Sequence, residues 1–177
     1  IVGFNEDYTP YAKERIDKIQ KLCKKNHVEC EMFHDYYINE PGTILSGSNT
    51  VYQKFTPYYE KSIIEGDFKN PSKVIVRNLS NTTKTIEKTL TLENAMKKFV
   101  NKENDNLVVH GGRDLGLTQL KQALVRTKDY KDDRDDMSKE TSILSAYIKF
   151  GCVSIREVTS KFSIRYGKHG EFIRQLI

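Results

Sequence analysis

The first 35 residues constrain this chain most, because they run strand, helix, strand. Ile1–Phe4 is a short apolar run that reads as a buried strand. Thr9-Pro10 supplies a helix N-cap and then a residue whose backbone is preset for the first helical position. Ala12, Ile16, Ile19, Leu22 and Cys23 recur at helical spacing among lysines, Glu14 and Arg15, which predicts a helix ending near Asn26. Val28 to Phe33 alternates apolar and acidic residues and runs into His34-Asp35, as a strand does. Strand, helix, strand is one unit of a parallel α/β sheet. Two neighbouring strands are too few to close a layer, so further strands are expected elsewhere.

The rest of the chain changes character. Pro41-Gly42 and Ser46-Gly47-Ser48-Asn49 mark turns. Thr56-Pro57 repeats the cap-plus-proline start and predicts a helix over Tyr58–Glu65 that ends at Gly66. Residues 67–91 lack a sustained period and read as a linker with one strand-like patch, Val74-Ile75-Val76. From Leu92 the pattern is helical. Ala95, Met96, Phe99 and Val100 form one stripe; beyond Gly111-Gly112, Leu115, Leu117, Leu120, Ala123 and Leu124 form another. Lys128 to Glu140 reads as a charged loop, with a helix starting at Thr141 after it. Ser154-Ile155-Arg156-Glu157 is a capping box opening a helix through about Phe162. Glu171–Ile177 is helical in type, with Phe172-Ile173 and Leu176-Ile177 expected as exposed apolar ends that seek a partner. The fold class expected is α/β followed by all-α. Residues 1–66 would be the α/β part, 67–91 the linker and 92–177 the helical part.

The net charge of +5 is compatible with a polyanionic partner without requiring one. Three cysteines, Cys23, Cys30 and Cys152, neither pair off nor show CxxC spacing, which fits a reduced, intracellular compartment. No segment approaches the ~20 apolar residues that a membrane span needs. The four histidines show no triad or zinc spacing. The acidic run around Asp132, Asp133, Asp135 and Asp136 lacks the spacing and central glycine of a calcium loop, so no metal site is expected.

The stretch with most chemistry is Thr141-Ser142-Ile143-Leu144-Ser145, followed by Ala-Tyr-Ile-Lys-Phe-Gly151-Cys-Val-Ser154. It places three hydroxyls in the expected first turn of an apolar helix. Hydroxyls and free backbone N–H groups there form a ready site for a phosphate anion. Helical spacing would put Ser145 on one face with Ser142 and Thr141. Tyr130, in the preceding loop, would bring a phenol to the same anion, and Lys149 would add charge. Periodicity alone favours the plainer alternative, in which Thr141 or Ser142 caps the helix while Leu144 and Ile148 pack, because capping hydroxyls are far commoner than anion sites.

The wider pattern resembles the DNA photolyase/cryptochrome family. Tyr130-Lys-Asp-Asp-Arg134-Asp135 and the Thr141 to Arg156 stretch match its Tyr-x-x-x-Arg-Asp and Thr-Ser-x-Leu-Ser-x-Tyr-Leu-x-Phe-Gly-x-x-Ser-x-Arg. Asn5-Glu-Asp-Tyr8-Thr-Pro-Tyr11-Ala-Lys-Glu-Arg15 is similar to its helix start after a sheet strand. Pro41-Gly42, Tyr52-Gln-Lys-Phe55-Thr-Pro57 and Gly111-Gly112 also agree, in register from Ile1 to Ile177. The resemblance implies a partial Rossmann-like α/β domain and the first helices of a helical FAD-binding domain. It implies that Tyr130, Thr141, Ser142, Ile143, Leu144 and Ser145 contact FAD, mostly its phosphates. Arg134 would reach a phosphate of UV-damaged DNA; the alternative is a partner for the aspartates around it. The implied reaction is light-driven electron transfer that splits cyclobutane pyrimidine dimers in DNA. The same motifs serve a cryptochrome-like photoreceptor, or a split or decayed photolyase acting as a binding piece with a second polypeptide. Ile143 stands where many members carry arginine, and Tyr11 and Ala12 stand at the pterin-antenna positions, so no antenna site is carried over. The match starts partway through the family's α/β domain and ends inside its FAD domain, so the stretch by itself is expected to hold flavin weakly and to repair nothing.

Overall fold

A computed structural model describes residues 1–66, 68–72, 90–100 and 104–177. Val2–Asn5 forms strand β1 and Cys30–Phe33 strand β2, joined by helix α1 over Pro10–Lys25. The strands pair in parallel, with Val2 opposite Cys30 and Asn5 opposite Phe33. Thr9 caps α1 through its side chain, which accepts from the Ala12 N–H at 3.3 Å, and Pro10 occupies the first turn. After Asn26 the chain reverses through His27, whose φ is +53°, and the Val28 N–H returns to the Cys23 carbonyl at 2.9 Å. Among the described residues no further strand joins this pair. The strand-like patch Val74–Val76 lies outside them.

Helix α2 spans Phe55–Glu65 and differs from expectation at its start. Lys54 occupies the N-cap without a side-chain bond, and Thr56 and Pro57 lie inside the first turn. Proline has no N–H to satisfy there, so it is tolerated within the first turn of a helix that starts one residue ahead of Thr56. Gly66 closes the helix as expected.

Residues Ile1–Pro71 and Gly111–Ile177 form one compact unit. Ser72–His110 forms another, in which α3 over Leu92–Phe99 is capped by Thr91 through the Asn94 N–H at 3.2 Å. In the first unit, α4 (Arg113–Arg126), α5 (Tyr130–Asp133), α6 (Ser145–Lys149), α7 (Ile155–Tyr166) and α8 (Glu171–Leu176) follow in order. Leu120, Ala123, Val153, Val158, Phe162 and Ile173 are fully buried and make the core. Gly116 lets α4 approach it, since a Cβ there would lie 2.7 Å from Val153 Cγ2 and 3.0 Å from Tyr147 Cδ1.

Three further expectations need correction. The charged stretch after Lys128 is not all loop: Tyr130–Asp133 makes one helical turn, secured by the Tyr130 ring lying edge-on to Phe172 at 5.0 Å. The helix expected from Thr141 starts only at Ser145, because Ile143 takes a left-handed φ of +50° that no α-helix tolerates. Phe172 and Ile173 are not an exposed apolar end. Both are buried, and the Phe172 ring stacks on Phe162 with centroids 3.9 Å apart. The capping box at α7 forms as expected. Ser154 Oγ accepts from the Glu157 N–H at 3.4 Å, and Glu157 Oε2 accepts from the Ser154 N–H at 3.0 Å. Arg113 reinforces it with two bonds to the Glu157 carboxylate, at 2.6 and 2.5 Å.

Candidate functional site

The segment Thr141 to Ser145 is held by its backbone. Gln119, on α4, donates from Nε2 to the Ser142 carbonyl at 2.8 Å. Arg126, two helical turns further along α4, donates to the Thr141 carbonyl at 3.4 Å and pairs with Glu140 at 3.2 Å. Leu144 is fully buried and pins the far end to the core. Between these anchors Ile143 adopts its left-handed conformation, an outlier for a β-branched side chain and a form of local strain that concentrates at ligand-binding segments.

This anchoring leaves the donors uncommitted. The Thr141 and Ser145 hydroxyls make no hydrogen bond to any described residue, and the Ser145 and Ala146 N–H groups have no acceptor among the described residues. Ser142 Oγ accepts a long bond, 3.4 Å, from the Leu144 N–H. No side chain caps α6. The capping alternative for Thr141 and Ser142 is therefore not what the structure shows. Nor do Thr141 and Ser142 share a helical face with Ser145, since residues 141–144 are not helical. What replaces it is an irregular loop with the Thr141 and Ser142 carbonyls engaged and the Thr141 and Ser145 hydroxyls without a partner among the described residues.

Ser145 lines the roomiest of the described cavities, about 710 Å³, together with Asp35, Tyr36, Ile148, Lys149 and Phe150 among others. It opens at the carboxyl ends of β1 and β2, where Asn5 and Asp35 stand. Lys149 lines the same cavity as Ser145, with its ammonium engaged at Tyr36. Its ammonium bonds the Tyr36 hydroxyl and lies 4.8 Å from that ring's centroid; the Tyr36 bond, then Asp7, holds its proton more firmly than usual. Arg156 is held by Asp35 at 2.9 Å and fixes α7 against the end of β2.

Tyr130 lies elsewhere. It lines a cavity of about 200 Å³ with Lys128, Lys131, Tyr166 and Glu171, and burial pushes its phenol pKa up against the lowering effect of Arg134. Arg134 closes α5, bonds Glu171 and lies 3.5 Å from Asp135. Tyr130 and Arg134 are thus together on α5, while Thr141 to Ser145 form a second group on the other side of the acidic loop. Within that loop Asp136 accepts from the Ser138 N–H at 2.9 Å and from its hydroxyl at 2.7 Å. Gln119 and Arg126 escaped sequence reasoning. Their signal was a seven-residue spacing on the polar side of α4, which marks a shared face without saying what it faces.

Comparison with known proteins follows the same lines. A family model described as DNA photolyase matches residues 1–74. The chain is 27% identical over 162 residues to a deoxyribodipyrimidine photo-lyase of Buchnera aphidicola, covering 88% of this chain and 33% of that protein. It is 29% identical over 161 residues to the corresponding protein of Alkalihalophilus pseudofirmus, covering 87% and 32%. The chain thus spans about a third of the length of the curated relatives it matches. Among solved structures, an archaeal photolyase from Sulfolobus tokodaii with two FAD molecules superposes with a TM-score of 0.69 at 26% identity, over 99% of this chain and 36% of that one. A Synechocystis cryptochrome superposes with a TM-score of 0.70 at 18% identity, over 97% and 38%, a likeness of fold. Family model, curated relatives and solved structures agree in likening this chain to the photolyase/cryptochrome family.

Proposed function

We propose that this chain is part of a flavin-dependent DNA photolyase that repairs UV-induced cyclobutane pyrimidine dimers. The observation that carries the reading is the 141–145 loop. Its carbonyls are engaged by Gln119 and Arg126, and its Thr141 and Ser145 hydroxyls have no partner among the described residues. Neutral donors without a partner suit a dinucleotide pyrophosphate, because they bind the anion without burying an opposing charge. FAD, when bound, supplies the light-excited electron for dimer splitting.

Thr141, Ser142 and Ser145 would hold the flavin phosphates, and Leu144 would keep the loop seated on the core. Ile143 contributes backbone only, where many relatives carry arginine. Tyr130 enters through the family resemblance, since it lines a different cavity from Ser145. Arg134 would position DNA by a phosphate contact that carries no sequence information. No second polypeptide is part of the proposal, because Phe172 and Ile173, two of the residues that motivated one, are buried. A cryptochrome-like photoreceptor would use the same loop; repair of dimer-containing DNA under blue light by the protein that carries this chain separates the two.

The test is a titration of purified chain with FAD, followed by flavin fluorescence. Weak, reversible binding is expected, lost in a Thr141→Val/Ser145→Ala double variant of unchanged circular dichroism. Binding that survives the double variant sinks the assignment of this loop. Stoichiometric, tightly retained flavin overturns the expectation that the chain by itself holds FAD weakly.

A further inference from the structure

A second arginine shares Arg134's cavity. Arg174 on α8 lies with its guanidinium carbon 5.3 Å from the Phe55 ring centroid and 5.0 Å from that of Tyr59, both on α2. Phe55 and Tyr59 stack on one another with centroids 6.0 Å apart, so Arg174 rests on an aromatic pair. Such a contact orients a guanidinium without neutralising it. Among the described residues Arg174 forms no ion pair and its side chain makes no hydrogen bond, whereas Arg134 is matched by Glu171 and Asp135. The space beside them, about 400 Å³, is lined by Phe55, Arg134, Arg174, Gln175 and Ile177. Those side chains are hydrogen-bond donors, one amide and apolar groups; no carboxylate side chain faces in.

We propose that Arg174 and Arg134 form a phosphate subsite at the seam between α2 and α8, which takes a phosphodiester of the DNA strand. The proposal rests on the reading of the chain as part of a DNA photolyase and adds a contact residue to it. A nucleotide unit carries an anion and a planar ring together, and the cavity offers two guanidinium groups beside the half-exposed Phe55 ring. A carboxylate of an acidic peptide would leave that ring unused. A free flavin dinucleotide has the same chemistry, but no residue of the 141–145 loop lines this cavity. DNA phosphates make contacts of this kind without reading sequence.

The experiment measures anisotropy of a short fluorescein-labelled duplex, with and without a thymine dimer, across a salt series. Arg174→Gln is expected to weaken binding of both duplexes several-fold and to reduce the slope of log affinity against log salt by about one, as loss of one phosphate contact does. Arg174→Lys, which keeps the charge, is expected to keep the slope and so separates charge from folding. Arg174→Gln binding with unchanged affinity and slope, while Arg134→Gln loses both, overturns the subsite and leaves the photolyase reading standing. No duplex binding by the unaltered chain overturns the subsite. Loss of FAD binding without loss of duplex binding in Arg174→Gln, or displacement of duplex by polyglutamate at equal charge, assigns the pair to another anion and overturns the proposal.

Discussion

Gln119 Nε2 lies 2.8 Å from the Ser142 carbonyl oxygen, across 23 residues of sequence, and it ties the 141–145 loop to the middle of α4. Gln119→Leu keeps the side-chain volume and removes this bond. A net loss of about 1 kcal/mol is expected, the usual contribution of one such bond. If the loop holds flavin phosphates, FAD affinity falls as well, because its donors are no longer preset. Urea unfolding and flavin titration of the same sample check both. A stability loss with unchanged FAD affinity would show that the tie serves the fold alone.

The Arg113–Glu157 pair gives the helical part an acid limb. Arg113, then the Ser154 N–H, holds the Glu157 carboxyl below its ordinary pKa of 4.5, against desolvation. A depressed folded-state pKa stabilises above the unfolded value and loses that stabilisation as pH falls through the folded value. Wild-type stability should therefore decline as pH drops below about 4.5. Glu157→Gln should be flatter over that window and less stable at neutral pH by about 0.2–1 kcal/mol, since Gln still accepts from the Ser154 N–H but loses the charge opposite Arg113. Thermal melts across pH check this; parallel profiles for the two proteins would refute it.

Gly116 sits inside α4, where alanine is ordinarily the better helix former by about 1 kcal/mol. Here the added Cβ would lie 2.7 Å from Val153 Cγ2, which is fully buried and cannot swing into solvent. Overpacking of this kind costs about 1–3 kcal/mol. Gly116→Ala is thus expected to lower the melting temperature despite its propensity gain. A higher melting temperature would mean that α6 and α7 can retreat from α4.

What the sequence made legible was what is local. The Thr9-Pro10 start of α1, its end at Asn26, and the Ser154–Glu157 box each depend on residues within one turn. The parallel pairing of β1 and β2 followed from the order of three elements. The start of α6 was not legible, because Ile143 is forced out of helical geometry by anchors from α4 and from the core. The turn at Tyr130 and the burial of Phe172 were missed for a related reason. Each exists through the other's ring and through Phe162, none of which periodicity connects. The hydroxyls of the candidate site were legible as residue types. Their freedom was not, since it depends on α6 having no side-chain cap.

Neighbouring residues of the 141–145 loop should respond unequally to truncation. Leu144 is 1% exposed and fills the core beneath the loop. Leu144→Ala leaves a cavity and should cost about 2–5 kcal/mol. Ile143 is only half-buried and holds a φ of +50°, which strains an L-residue by about 1–2 kcal/mol and a glycine hardly at all. Ile143→Gly loses side-chain packing but relieves that strain, so its net effect should stay within about 1 kcal/mol of zero. The two losses are compared by denaturant midpoint at constant slope. Equal losses at both positions would mean that the left-handed turn at Ile143 is absent in solution, and with it the geometry that leaves Thr141 and Ser145 available to an anion.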